Sequence, residues 1–197
     1  MLALLGLIAL SLSDRAGAES TCPAITLHYD KDEQLSERRN DTNGDCKHDE
    51  FIFYADGLPI RSEQDVNYDG RIDAWTRYGP DGAPVHQELD TNGDGQVNQW
   101  IEFEAGVPAL RKEDENVDGT VDKTTLYSKG VPVRQEVDTN FDGALDHWVH
   151  FAEGAISVIE DDKDHDGRID LRAEYEADGA KRLEQRDTSG DGKLDLA

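Results

Sequence analysis

Basic residues, apolar residues and cysteines are all scarce in this chain, and each shortage narrows what it can be. Its 197 residues hold 20 Lys and Arg against 44 Asp and Glu, a formal charge of −24. Such a surface repels nucleic acid and anionic membranes, so neither is an expected partner, whereas cations are. Apolar residues amount to 36%, fewer than a conventional globule of this length carries. Something other than a large core must then hold the chain together. Composition alone would suit a disordered chain. The spacing of the aromatics, described below, argues against that.

One apolar run stands out, Leu2 to Leu12, and Ala16-Gly17-Ala18 follows it. The run is too short to span a bilayer, and its A-x-A ending reads as an export signal, residues 1–18, cleaved after Ala18. Asp14 and Arg15 leave together, so the mature charge stays at −24. The expectation is an exported protein, periplasmic, cell-surface or secreted, with no transmembrane segment after cleavage. Both cysteines, Cys22 and Cys46, lie in the mature part, and in an oxidising compartment such a pair reads as a disulfide. No G-x-S-x-G, P-loop or H-E-x-x-H is present. Among the six histidines only His147 and His150 come close in sequence, flanking Trp148 as surface decoration. These absences point away from an enzyme.

What the chain does have is a tandem repeat. DTNGDGQVN, starting at Asp90, recurs in related form at Asp41, Asp65, Asp114, Asp138, Asp162 and Asp187, at offsets of 24 or 25 residues. Counted from each leading Asp, the fourteenth place is aromatic in all six units that reach it: Tyr54, Tyr78, Phe103, Tyr127, Phe151 and Tyr175. The twelfth is mostly β-branched, and the eleventh includes Phe51, Trp75, Trp100 and Trp148. This period-two pattern predicts a strand with places twelve and fourteen on one face and eleven on the other. A Gly-containing turn follows, then a second strand with Pro59, Pro84, Pro108 and Pro132 near its start. Both 25-residue spacings follow units with the longer turns Pro80-Asp81-Gly82 and Ala177-Asp178-Gly179. The predicted fold is all-β: an elongated antiparallel meander of 24–25-residue hairpins. Residues 19–40 form a partial unit, with Tyr29 one step before Tyr54, and residues 41–197 form the array.

The acidic loops between hairpins carry oxygen at the first, third, fifth and ninth places. The candidate metal ligands are Asp41, Asn43, Asp45 and Asp49; Asp65, Asn67, Asp69 and Asp73; Asp90, Asn92, Asp94 and Asn98; and Asp114, Asn116, Asp118 and Asp122. They continue with Asp138, Asn140, Asp142 and Asp146; Asp162, Asp164, Asp166 and Asp170; and Asp187, Ser189, Asp191 and Asp195. Gly at the sixth place permits a sharp turn, and Cys46 takes that place in the first loop. Calcium wants six to eight oxygens, which short side chains at alternate places, a seventh-place carbonyl such as that of Ala144, and water can supply. Thiolate and imidazole are absent from these places, which argues against zinc or copper. Magnesium would demand a smaller, more rigid octahedron. Seven bound calcium ions would bring the formal charge from −24 to −10. Plain turn chemistry accounts for Gly and one or two Asp residues per loop, but does not require the ninth-place oxygen.

The D-x-[DN]-x-D-G stretch resembles the start of the EF-hand and dockerin calcium loop and recurs in thrombospondin type 3 repeats. With its ninth-place acid, the loop is similar to the hairpin loops of integrin α-chain propellers. The EF-hand's twelfth-place Glu has no counterpart, since that place holds Ile52, Thr76, Ile101, Thr125, Val149 and Ala173. The resemblance implies calcium between strands rather than helices. The hairpins themselves resemble MORN-type bacterial repeats.

The expected function is a structural, adhesive or protein-binding module rigidified by calcium, with an envelope protein or a glycan as partner. A second reading makes Trp75, Trp100 and Trp148 an aromatic strip for calcium-dependent carbohydrate binding, against the plainer role of covering the sheet. A third, an envelope hydrolase using spare carboxylates, has no motif behind it.

Overall fold

A computed structural model describes residues 22–196, and every regular element in them is a strand. The expected leader, residues 1–18, lies outside the described residues. The first hairpins are β1 (Ile25–Tyr29) with β2 (Leu35–Asn40), β3 (Glu50–Ala55) with β4 (Leu58–Gln64), and β5 (Ala74–Tyr78) with β6 (Pro84–Leu89). Next come β7 (Gln99–Glu104) with β8 (Val107–Glu113), and β9 (Lys123–Ser128) with β10 (Val131–Val137). The last are β11 (His147–Ala152) with β12 (Ala155–Asp161) and β13 (Leu171–Tyr175) with β14 (Lys181–Arg186), before the short β15 (Asp195–Leu196). Sheet order equals sequence order, so each strand pairs only with its predecessor and successor. The protein is an open antiparallel meander, one sheet deep. Fifteen strands at ~4.8 Å spacing make it about 70 Å long. Among the described residues no helix is long and apolar enough to cross a membrane.

The tight turns are two-residue connections with both residues left-handed: Asp56-Gly57, Ala105-Gly106, Lys129-Gly130 and Glu153-Gly154. Their mirror-image geometry matches the twist of the flanking strands. The longer turns add a residue and close differently: Gly79 N–H donates to the Ala83 carbonyl, and Glu176 N–H to that of Ala180. Extra length is absorbed there while strand register carries on.

Every hairpin also contains a bulge at the fourteenth-place residue. Tyr54, Tyr78, Phe103 and Tyr127 sit opposite Pro59, Pro84, Pro108 and Pro132, and the residue after each proline is skipped by the register. Proline has no N–H to give the ladder, and a bulge is where that loss is tolerated. Skipped Ile60, Val85 and Val133 are exposed. Where the skipped residue is serine its hydroxyl repairs the ladder: Ser36 donates to the His28 carbonyl and Ser157 to that of His150.

The two faces differ. One carries the twelfth-place row, in which Gln87 and Gln135 donate to the hydroxyls of Thr76 and Thr125. All five buried apolar residues, Ala74, Val137, Val149, Leu171 and Ala173, are on this face. The other carries Phe51, Trp75, Trp100 and Trp148, half-buried between Glu63, Glu88, Glu136 and Glu160 of neighbouring strands. Three of these glutamates pair with the basic residue two places earlier: Arg61–Glu63, His86–Glu88 and Arg134–Glu136.

Cys22 and Cys46 are joined in a disulfide with Cα atoms 5.5 Å apart. The bridge ties the start of β1 to the first acidic loop.

Because Gly57 has φ +78 and open space around it, Gly57→Ala isolates backbone strain from packing. The substitution is expected to weaken the β3–β4 hairpin by about 1 kcal/mol. Amide hydrogen exchange should register the loss at Tyr54 to Leu58 and leave the β11–β12 hairpin unchanged.

Candidate metal centres

All seven acidic loops lie along one long edge of the sheet, since each joins the second strand of a hairpin to the first strand of the next. Two strands separate successive loops, which sets them ~10 Å apart. The loops are also joined directly. The first-place N–H of each loop donates to the ninth-place carbonyl of the loop before: Asp65 to Asp49, Asp90 to Asp73, Asp114 to Asn98, Asp138 to Asp122, Asp162 to Asp146 and Asp187 to Asp170. First and ninth residues therefore alternate in one row across the strand ends. At the N-terminal end Asp41 N–H donates to the Ala24 carbonyl, so Ala24 stands where a ninth-place residue would.

Within each loop the acids accept hydrogen bonds from the backbone they surround. In all seven the sixth-place N–H donates to the first-place carboxylate, from Cys46 onto Asp41 at 2.9 Å to Gly192 onto Asp187 at 2.6 Å. The seventh-place N–H donates to the fifth-place carboxylate in all seven as well, as from Thr120 onto Asp118 at 2.8 Å. Third-place Asn43, Asn67, Asn92, Asn116 and Asn140, with Asp164, accept the fifth-place N–H. The Asn116 amide and the Thr120 N–H hold Asp118 below the usual carboxylate range. The Ala144 N–H and the Asn140 amide do the same for Asp142.

The ninth place has a role that the sequence does not announce. Its side-chain oxygen accepts the second-place N–H: Thr42 onto Asp49, Val66 onto Asp73, Thr91 onto Asn98, Glu115 onto Asp122, Thr139 onto Asp146 and Lys163 onto Asp170. Where the second residue is threonine, its hydroxyl donates to the same oxygen in Thr42, Thr91 and Thr139, and in the seventh loop the Thr188 hydroxyl donates to Asp195. The ninth-place oxygen thus closes the loop through hydrogen bonds of its own, independent of any ion. Asn98 serves because an amide oxygen accepts equally well. The recurrent D-T opening was the visible signal for these hydroxyl contacts.

Burial sharpens the electrostatic problem. Asp41, Asp49, Asp65, Asp73, Asp90, Asp114, Asp122, Asp138, Asp146 and Asp162 are all buried, twice the number of buried apolar residues. Asp122 is the most enclosed, at 1% exposure. Among the described residues the one ion-pair partner any of the ten has is His165, whose Nδ1 lies 3.3 Å from Asp146 Oδ2. Carboxylates removed from water without countercharge are costly, and backbone N–H groups meet only part of that cost.

The sixth loop tests whether these residues fit a cation. Carboxylate oxygens of Asp162, Asp164 and Asp166 all lie within 4.8 Å of one another. Asp162 is 4% exposed, and its Oδ1 is buried with no hydrogen-bond partner, although Oδ2 accepts the Gly167 N–H. An unpartnered buried oxygen beside two further carboxylates fits a hard, oxygen-seeking cation. Asp170 stands outside the trio, its Oδ2 taken by the N–H groups of Lys163 and Asp164. In the third, fourth and fifth loops the third and fifth places meet through an Asn amide: Asn92–Asp94, Asn116–Asp118 and Asn140–Asp142, at 3.0 to 3.1 Å. Asn67 turns instead to Asp73, at 3.3 Å. In the seventh loop Ser189 bonds Asp187. In the first, Asn43 and Asp45 meet only through the Asp45 N–H.

A further feature went unread in the sequence. The fourth place is left-handed in every loop, with glycine in three and Tyr68, Val117, Phe141 and His165 in the others, at φ 60 to 63. For a β-branched residue such as Val117 this is genuine strain.

The double role of the ninth place can be separated by substitution. In chelator, Asp122→Asn is expected to stay within about 1 kcal/mol of the parent, because the amide still accepts the Glu115 N–H. Asp122→Ala leaves that N–H and its neighbour unmet and is expected to cost about 2–3 kcal/mol. Denaturant unfolding in EDTA measures both.

The sequence matches no family model, and no curated protein matches it. Among solved structures, the crystal structure of accessory secretory protein 1, 2 and 3 in Streptococcus pneumoniae is similar at 16% identity and a TM-score of 0.26. That alignment covers 58% of this chain and 19% of that one, a likeness too slight to bear on fold or function.

Proposed function

We propose that this is an exported calcium-binding repeat protein whose loops hold hard divalent ions along one edge of an extended sheet. The stiffened sheet then serves as a structural or adhesive surface for an envelope partner. The observation that carries the reading is the sixth loop, where Asp162, its Oδ1 buried and unpartnered, clusters with Asp164 and Asp166. Asp, Asn or Ser occupies the same places in the other six loops, and the buried aspartates of the first five likewise lack basic partners apart from His165. In each loop the first-, third- and fifth-place oxygens, the ninth-place oxygen not already committed to N–H groups, and the seventh-place carbonyl are the residues to hold the ion. Bound there, calcium supplies the positive charge that the buried carboxylates lack. The chain's own contribution is to present the oxygens on a loop already curled by its internal hydrogen bonds.

A glycan-binding reading rests on one observation, a cavity of about 350 Å³ beside Trp100 lined by His86, Glu102 and Lys112. The three tryptophans are half-buried beside charged side chains, which suits covering the sheet better than stacking on sugar.

Calcium titration followed by calorimetry and thermal melting tests the proposal. Each occupied loop is expected to add roughly 2.7 kcal/mol at a hundredfold excess of calcium over its dissociation constant. A melting curve that exhaustive chelation leaves untouched, with no heat on adding calcium, would overturn it. Asp162→Asn combined with Asp166→Asn should remove about one ion from the stoichiometry.

A further inference from the structure

The first loop departs from the others at the residue that shapes it. Its sixth place is Cys46, whereas Gly70, Gly95, Gly119, Gly143, Gly167 and Gly192 fill that place elsewhere. Those glycines have φ between 79 and 93, mostly beyond the left-handed well that side-chain-bearing residues occupy. The strained fourth-place residues sit lower, at 60 to 63, inside that well. Cys46 is held at φ 73, between the two groups. Its N–H nevertheless donates to Asp41 Oδ2 at 2.9 Å, the bond the sixth-place glycines make in every other loop. Without that bond the first-place carboxylate loses part of what orients it.

Position explains what supplies the constraint. In the seventh loop a Cβ on Gly192 would meet the side chain of Arg168, the seventh residue of the preceding loop, at 2.9 Å. In that loop the sixth place lies against the seventh place of its predecessor, whereas a Cβ on Gly70, Gly95, Gly119, Gly143 or Gly167 would meet nothing within 4 Å. Before the first loop the corresponding places are taken by Ala24 as ninth residue and Cys22 as seventh. The two places that approach each other in the seventh loop are joined covalently in the first by the Cys22–Cys46 bond.

We propose that this disulfide is a working part of the first metal loop: it holds Cys46 in the left-handed conformation that glycine supplies in the others. The inference rests on the calcium reading above. Its consequence is that the first loop alone has a cation affinity that follows the thiol–disulfide state. Reduction by a dithiol breaks the Sγ–Sγ bond and gives each sulfur one electron and one proton, while the dithiol becomes a disulfide. Cys46 is then free to relax to negative φ and withdraw its N–H from Asp41.

The test is a calcium titration of the full chain followed by amide NMR, with Gly44 reporting the first loop and Gly119 and Gly143 the fourth and fifth. In the oxidised protein the Gly44 midpoint is expected to fall near the other two. Cys22→Ser with Cys46→Ser, or dithiol treatment, should raise it about fivefold, the strain of a left-handed non-glycine residue read as affinity, and leave Gly119 and Gly143 in place. Cys22→Ser with Cys46→Gly should restore the Gly44 midpoint with no bridge present. An unchanged Gly44 midpoint in the serine variant overturns the proposal, as does failure of the glycine variant to recover it. If no loop responds to calcium in any form, the calcium reading itself falls and takes this inference with it. A response at Gly119 and Gly143 without a difference at Gly44 removes only the role of the bridge.

Discussion

A carboxylate taken out of water needs either a positive charge or several N–H groups pointed at it. Along one edge of this sheet that need arises at almost every strand end, because the first and ninth loop places alternate there and most are buried aspartates. The loops are shaped by how the need is met. In every loop but the sixth two or more backbone N–H groups converge on the first-place carboxylate, and in every loop but the seventh the second-place N–H closes onto the ninth. To let so many amides face inward the backbone turns left-handed twice, at the fourth and sixth places. The positions of strands, turns and bulges then repeat because the loops do.

The sheet has little else to stabilise it. A single layer cannot bury both faces, and its five buried apolar residues are two alanines, two valines and Leu171. The remaining surface is managed by pairing: glutamines across to threonines on one face, and basic residues against glutamates beside half-buried aromatics on the other. Exposed ion pairs of this kind contribute little each. Arg61 does more by covering a ring, its guanidinium lying 3.4 Å from the centre of Phe53. A sheet held this thinly by apolar contact depends on the order of its loop edge.

Much of the architecture could be read from residue spacing. Aromatics at the fourteenth place, glycines in the turns and prolines at one point of the second strand gave strand, turn, strand and loop in the right order. Length variation was correctly confined to the Pro80-Asp81-Gly82 and Ala177-Asp178-Gly179 turns. Openness was not legible, since closure depends on whether β1 meets β15, and no local pattern encodes that. The bulges were not legible because Ile60, Val85 and Val133 look like ordinary strand residues, and the register skips the corresponding residue even where Leu35, Ile156 or Lys181 stands in place of proline. At the site, the recurrence of oxygen-bearing residues at the first, third, fifth and ninth places was legible, but the hydrogen-bonding role of the ninth was not. Its hydrogen bond to a residue seven places earlier is set by loop curvature, which composition does not express. The arginine or histidine two before a glutamate on the second strands was a readable sign of face pairing that went unnoticed.

Since every strand touches only the strands next to it in sequence, no part of the sheet waits for a distant segment before it can form. Such low contact order favours rapid, stepwise assembly. A chain emerging from the ribosome or a translocation pore can lock in one hairpin for each 24 or 25 residues that appear, while the rest is still unstructured. By the same logic, duplicating or deleting one whole unit changes the molecule's reach by ~10 Å without disturbing the units on either side. Length is therefore an independently adjustable property of this architecture, inherited by counting repeats rather than by redesigning an interior.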